Sequence, residues 1–417
     1  MASNINSYFL SNKEKLEQEL TNLSITCEDG IWTPEGDSNV STLKQSYKQN
    51  ALNTIEDKTN DILYYCQFYL DMWFQKSVDI IHNLHFRRDQ LVSNMKHLKC
   101  LELPEQRSKE WYEIREHLLT ASSLADSLGK GHFQTRDDLL ISKTSERKEI
   151  SKASRDIMEW GVKYEPVATE FYEYLYGVKI IEFGLIPHPE LSVFGASPDG
   201  ICDEGSPNGY TGRMLEIKCP PRRKFTHEVP QHYWMQMQGQ LEVCDLDECD
   251  FFQVKLEEYY SVQDYEKDLL FVDGIQHGKT HEGLPKGLII SYKEKDSDYI
   301  QYEYSPWLAS LDTIGNWGDK FIEDLDDKYI IHEQKWWKIT RYECTLVRRD
   351  KEWWLSVVPD IIKFWSEVVH YRKVGNEEVQ KRIQGRKRGP RKKVFTIQEP
   401  IKGYLWIVMR NLNHGLL

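Results

Sequence analysis

The stretch GASPDGICDEGSPNGYTGRMLEIKCP, residues 195–220, decides how this chain is read. An apolar strand end runs into Pro198-Asp199-Gly200, a strong turn signal. Sixteen residues separate Asp199 from Glu216. Side chains alternate across a strand, so Glu216 and Lys218 share one face while Leu215, Ile217 and Cys219 take the other. A hairpin between the two strands would bring Asp199 close to Glu216. Two convergent carboxylates suit Mg²⁺ or Mn²⁺, which take hard oxygen ligands and leave positions for water and phosphate. An adjacent ammonium can orient an attacking water or stabilise the extra negative charge of the transition state. The same residues are compatible with an ordinary hairpin carrying a solvated ion pair. Glu-x-Lys recurs at Glu56–Lys58, Glu146–Lys148 and Glu333–Lys335, but with Asp57, Arg147 and Gln334 at the centre. Only Glu216–Lys218 has an apolar centre inside an apolar strand and a Pro-Asp turn before it.

The rest of the chain bounds the problem. Its 417 residues are too many for one small core and predict about two or three domains. It is 40% hydrophobic and 29% charged, a globular composition, and no segment approaches a membrane span. The start, MASNINSYFLSNKEKLEQEL, lacks a basic, apolar and cleavage-site pattern, so secretion is not expected. Eight scattered cysteines with no CxxC read as reduced thiols. A net charge of −12 argues against a protein that coats nucleic acid, though an acidic body can carry a local basic channel.

Residues 1–98 read as a mostly helical N-terminal extension, with a polar stretch at 28–50 and an aromatic-rich helical pattern from 60 to 98. Residues 103–129 read as a loop, a helix from about Ser108, a break at Leu119–Thr120 and a second helix that Thr120 or Ser122 caps. Pro166 predicts a kink or boundary in the amphipathic helix over 154–177. β-like segments follow at 178–183, 191–195, 213–218 and 251–256, with a helix at 231–244 between the last two. The fold class is therefore α/β or α+β, a mixed central sheet flanked by helices. The acidic, turn-rich segment 261–334 reads as an insertion, 335–350 as a strand, and 353–374 as a helix. Eight Lys or Arg occur in 381–393. Such dense like charge awaits a partner or a localisation receptor, or is a solvated end.

Pro198-Asp199 with Glu216-Ile217-Lys218 resembles the PD-(D/E)xK nuclease signature. WGVKYEPVATEFYEYLYGV (160–178), ASPDG (196–200), LEIKCP (215–220) and QMQ (236–238) come in the order found in phage lambda exonuclease and YqaJ-type viral recombinases. QRSKEWYEIREHLLTAS (106–122) resembles the N-terminal block of that family. The similarity covers about 100–260, and 335–372 is like the C-terminal strand and helix of large-DNA-virus versions. The resemblance implies a restriction-endonuclease-like core at 99–260, completed by 335–375, with 376–417 as a basic tail. It implies a Mg²⁺-dependent (or Mn²⁺-dependent) exonuclease that degrades linear duplex DNA 5′ to 3′ and leaves 3′ single strands for viral recombination, repair or genome processing. An endonuclease or RNA-degrading enzyme on the same core, or a non-catalytic DNA-binding protein, are the alternatives.

By position, the resemblance makes Asp199, Glu216, the Ile217 carbonyl and Glu165 metal ligands, with Lys218 assisting the attacking water. Gln238, and after it Gln236, match the family's glutamine on the helix lining the site. Two residues apart on a helix they cannot share a face, so one is structural. Arg115, Ser122 and Thr120 match a 5′-phosphate site. Arg386, Lys387, Arg388, Arg391, Lys392 and Lys393 would contact DNA or direct localisation. The implied partners are duplex DNA ends and a single-strand annealing or binding protein, in the viral factory of the host cytoplasm or in the nucleus. The phage relative is a homotrimer, an assembly the segments 1–98 and 261–334 put in question here.

Overall fold

The computed structural model describes residues 89–146, 152–206, 209–222, 225 and 228–385, together with 38–54 and scattered positions between 8 and 78. The chain divides into two compact units, Met1–Leu101 and Glu102–Leu417. In the first, helix α1 (Ser38–Asn53) occupies the second half of the stretch that reads as merely polar. It buries Val40, Tyr47 and Ala51, spaced to fall on one helical face. Val40 and Tyr47 join a core with Leu16, Leu20, Phe74 and Val78. Residues 89–99 are also helical.

The second unit begins with α2 (Lys109–Glu116), capped by the Ser108 side chain on the Trp111 amide. The expected second helix is shorter than its pattern. A two-residue strand β1 (Leu119–Thr120) leads to one 3-10 turn and to the single α-turn α3 (Leu124–Ser127). Thr120 occupies the cap position, but its hydroxyl meets the Ser122 side chain and makes no capping hydrogen bond. Next come α4 (Arg136–Thr144), closed at its start by a Thr135–Asp138 capping box, and α5 (Lys152–Tyr176). Pro166 lies inside α5 and does not end it. The helix is held by its buried face, which one missing amide does not undo.

Short strands β2 (Ile180–Ile181), β3 (Ile186–Pro187), β4 (Phe194–Ala196) and β5 (Gly200–Cys202) follow, then β6 (Met214–Lys218), α6 (Gln231–Val243) and β7 (Glu248–Glu258). Segment 261–334 contains α7 (Val262–Lys267), β8 (Leu270–Phe271), β9 (Ile275–Gln276), β10 (Lys286–Glu294), β11 (Gln301–Tyr304) and α8 (Leu311–Glu323). The chain then forms β12 (Tyr329–Arg348), α9 (Lys351–Val374) and α10 (Glu377–Gly385). The basic residues Arg386 to Lys393 lie outside the described residues.

The main sheet has seven strands in the order β11-β10-β12-β7-β6-β5-β2. Only β6–β7 is a parallel pair; the rest are antiparallel, so the sheet is mixed as expected. Strands β10 and β11 belong to this sheet, so part of 261–334 extends the core sheet. A second sheet, β1-β4-β3, holds the chain just before the Pro-Asp turn. On one face of β6 and β7, Leu215, Ile217, Phe252, Val254 and Leu256 pack against Tyr164, Val167, Ala168, Phe171 and Tyr172 of α5. Buried aliphatic and aromatic side chains of this kind contribute about 1.5–3 kcal/mol each. α6 lies against the other face, where Tyr233 meets Phe251. Strand β6, sandwiched between these layers, is buried at every position but the last.

Candidate active site

The hairpin that sets the site differs in one respect from the sequence reading. The strand pairing with β6 is β5, the three residues after the turn, through Gly200↔Leu215 and Ile201↔Met214. The apolar strand before the turn belongs to the other sheet. Asp199 therefore sits where the chain passes from one sheet to the other. Its Oδ2 accepts the Ile217 amide at 2.6 Å, which fixes it beside Glu216. The turn is tied on three further sides. Gln106 Nε2 donates to Pro198 O at 3.2 Å, Trp111 Nε1 to Ser197 Oγ at 3.1 Å, and Gln240 Nε2 to Ser197 O at 3.4 Å.

Glu216 is fully buried and satisfied by one ammonium and two amide donors. Oε1 accepts from the Lys218 ammonium and from Gln236 Nε2 at 2.7 Å; Oε2 accepts from Gln240 Nε2 at 2.7 Å. Gln236 and Gln240 stand one helical turn apart on α6 and grip the same carboxylate. Gln238, the glutamine ranked first from sequence, points elsewhere. It donates to Arg348 O at 2.8 Å and accepts the Asp350 amide at 2.6 Å, closing the junction between β12 and α9. The helix approaches the 3-10 turn closely because of Gly239. A Cβ there would lie 2.9 Å from Phe194 and 3.3 Å from Ala121 and Leu124.

Electrostatics follow from this crowding. Enclosure first, then the Glu216 charge, push the Asp199 carboxyl well above the ordinary range against the pull of Lys218 and the Ile217 amide. Burial opposes the Lys218 charge, but Glu216 and Asp199 outweigh it and its pKa is raised. Glu165, on α5, is also raised, by burial first, despite Arg107 and Lys218 nearby. Arg107 Nη2 donates to Glu165 Oε2 at 3.1 Å from a backbone at φ 68°, a conformation uncommon for a non-glycine residue.

A cavity of about 200 Å³ opens over these groups. Asp199, Glu165, Gln236 and Gln240 line one part and Arg115, Thr120 and Ser122 another. Arg115 stacks its guanidinium 4.1 Å from the Trp111 ring centroid and donates to Ser122 Oγ at 3.3 Å. Ser122 is in turn 3.1 Å from Thr120 Oγ1. The end of α2 that carries Arg115 is capped from elsewhere: Lys143 Nζ donates to Arg115 O and to Leu118 O at 2.5 and 2.8 Å, and Arg372 of α9 donates to Glu116 O at 2.6 Å. Among the described residues, no three His, Cys, Asp or Glu side chains converge as a ready-made metal cage.

Sequence reading missed Gln240, although its spacing of four from Gln236 was visible in QMQGQ. It also missed Gln106, Arg107, Trp111 and Ser197, whose roles depend on tertiary approach. Asp199, Glu216, Lys218, Glu165 and Gln236 are brought together, with the Arg115, Ser122 and Thr120 wall beside them.

Residues 110–247, which hold the buried acid–lysine strand and the Pro-Asp turn, match the YqaJ-like viral recombinase domain family. Uncharacterized protein R354 of Acanthamoeba polyphaga mimivirus is 31% identical over 296 residues, 64% of this chain and 53% of that protein. The chain thus spans about half the length of the curated relative it matches. An alkaline exonuclease (LHK-Exo) from Laribacter hongkongensis is 20% identical with a TM-score of 0.38, covering 66% of this chain and 99% of its own. A phage related exonuclease from Haemophilus somnus 129PT is 12% identical with a TM-score of 0.32, covering 63% and 96%. Among the described residues no helix is long and apolar enough to cross a membrane.

Proposed function

We propose that this chain is a divalent-cation-dependent deoxyribonuclease that hydrolyses phosphodiesters from the 5′ end of linear duplex DNA, leaving 3′ single strands for recombination, repair or genome processing. The observation that carries the reading is the buried Glu216 carboxylate, gripped by Lys218, Gln236 and Gln240, beside Asp199 and under a polar cavity walled by Arg115 and Ser122. The donor set fits a hard cation. Its donors are oxygens, and Asp199 beside Glu216 is a pair of like charges that a cation would relieve. Asp199 and Glu216, with Glu165 on the cavity wall and no ready-made cage among the described residues, suit Mg²⁺, which keeps several waters. Asp199, Glu216, the Ile217 carbonyl and Glu165 would hold the ion, which supplies charge neutralisation and a more acidic water.

The protein's own groups do the remaining work. Lys218 stays protonated beside Glu216 and offers an ammonium to the attacking water or to the developing phosphorane charge. Gln236 and Gln240 keep Glu216 from turning. Arg115 and Ser122 receive a terminal phosphate, with Trp111 holding the guanidinium plane. A single-strand annealing or binding protein as partner, a homotrimer, action in the host cytoplasm or nucleus, and DNA contact or localisation by the basic tail are part of the same proposal.

The test incubates end-labelled linear duplex and closed circular DNA with Mg²⁺, comparing wild type with Lys218→Ala. Loss of linear DNA alone, abolished by the substitution, supports the reading. Equal cutting of circular DNA, or full activity of Lys218→Ala, overturns it.

A further inference from the structure

The loop 129–134, between α3 and α4, is tightly built for a surface loop. Gly129 adopts φ 70°, and the Lys130 amide donates to Ala125 O at 2.8 Å. Gln134 Nε2 donates to Asp126 Oδ2 at 2.9 Å, and a Cβ on Gly131 would collide with that same carboxylate. All this order holds an apolar ring out in water: Phe133 is 76% exposed. The ring is not isolated. His132 and His232 stack with centroids 4.9 Å apart and planes 10° from parallel. Phe133 stands edge-on to both, at 4.9 and 5.5 Å. His232 continues to Tyr233 at 4.1 Å, and the Lys218 ammonium lies 5.1 Å from the Tyr233 ring centroid. A run of four rings therefore leads from Lys218 to solvent.

A stacked imidazole pair, edged by the exposed Phe133 ring and flanked by the exposed Lys130, offers ring surface to a nucleobase and a cation to its backbone phosphate. Continuity with Lys218 says which base: one unpaired near the phosphodiester being cut. We propose that His132, Phe133, His232 and Tyr233 form a stacking platform for an unpaired nucleobase at a DNA end, an inference that rests on the nuclease reading above. Stacking of this kind tolerates any base, which suits an enzyme that must pass along arbitrary sequence.

The test uses two duplexes, one blunt and one with a single-stranded extension carrying 2-aminopurine at the junction, with EDTA present so that no strand is cut. Wild type is expected to bind both and to quench the 2-aminopurine. Phe133→Ala is expected to lose the quench and to bind the extended duplex about tenfold more weakly, while blunt-duplex affinity stays within about twofold; Phe133→Trp restores both. Since Phe133 is exposed, its melting temperature serves as a check that the fold is intact. A Phe133→Ala protein that binds and quenches like wild type overturns the platform and leaves the nuclease reading standing. A wild type that binds neither duplex defeats both.

Discussion

Replacing Gln240 by Met separates the site's chemistry from its scaffolding. Gln240 is 1% exposed and donates at 2.7 Å to Glu216 Oε2, which is 0% exposed. A hydrogen bond to a charged group contributes about 1.5–3 kcal/mol, and losing it leaves a buried carboxylate oxygen without its donor. Met keeps the volume, so the expected loss of stability is about 2–3 kcal/mol with little cavity cost. Glu216 is then held on one oxygen only, and we expect turnover to fall about 10- to 100-fold, equivalent to about 1.4–2.7 kcal/mol of barrier. Gln238→Met is the internal control. It breaks two bonds to backbone at Arg348 and Asp350, each worth about 1 kcal/mol, for a comparable stability loss of about 2–3 kcal/mol once unsatisfied groups are included. Its turnover should match wild type. Urea unfolding gives the stabilities; initial rates on end-labelled linear duplex, normalised to folded protein, give the turnover. If Gln238→Met slows the reaction as much as Gln240→Met, or if Gln240→Met turns over like wild type, the assignment of these two glutamines is wrong.

Other substitutions test neighbouring claims. Arg107→Ala frees Glu165 from a partly exposed ion pair, so stability should change by less than about 1 kcal/mol. The Mg²⁺ concentration needed for half-maximal thermal stabilisation should fall; an unchanged Mg²⁺ titration removes Glu165 from the ligand set. Arg115→Ala should abolish any preference for 5′-phosphorylated over 5′-hydroxyl duplexes, and a preference that survives places end recognition elsewhere. Lys143 predicts a pH dependence: burial first, helped by Arg115 and Arg372, lowers its pKa from 10.5 to about 8. Between those values the unfolded chain binds a proton that the folded protein lacks, so stability rises with pH across the window. Below about pH 8 both states are charged and the contribution is flat. Denaturation from pH 7 to 10 should show this rise in wild type and a shallower one in Lys143→Met; parallel profiles would mean the Lys143 pKa is not depressed.

The alternation of Glu216 and Lys218 against Leu215 and Ile217 was legible because side chains alternate along a strand, and the structure puts the two faces against different layers. The mixed sheet was legible from the order of helices and strands. The hairpin partner was not, since β5 is three residues long and carries no period that a pattern can register. Pro166 reads locally as a break, yet a helix face bearing Tyr164, Val167, Ala168, Phe171 and Tyr172 outweighs one lost hydrogen bond. Strands β10 and β11 lay hidden among acidic turns. The ranking of Gln238 over Gln236 followed from resemblance, whereas the helical repeat alone pairs Gln236 with Gln240. Gln106 and Trp111 precede the turn residues they touch by 92 and 86 positions, and Arg107 precedes Glu165 by 58, so no local signal joins them.

The two walls of the cavity are anchored in different parts of the chain. The carboxylates and Lys218 depend on β5, β6 and α6, whereas the end of α2 bearing Arg115 hangs on Lys143 and on Arg372, near the close of the long helix α9. α9 is itself bolted to α4 through the paired contacts of Arg136 with Glu367 at 2.8 and 3.0 Å. On the proposed nuclease reading, a lesion late in the sequence would loosen the Arg115 wall while leaving the carboxylates and Lys218 in place. On that reading, selection or design acting on α9 would reach the engagement of a DNA end separately from the rate of hydrolysis.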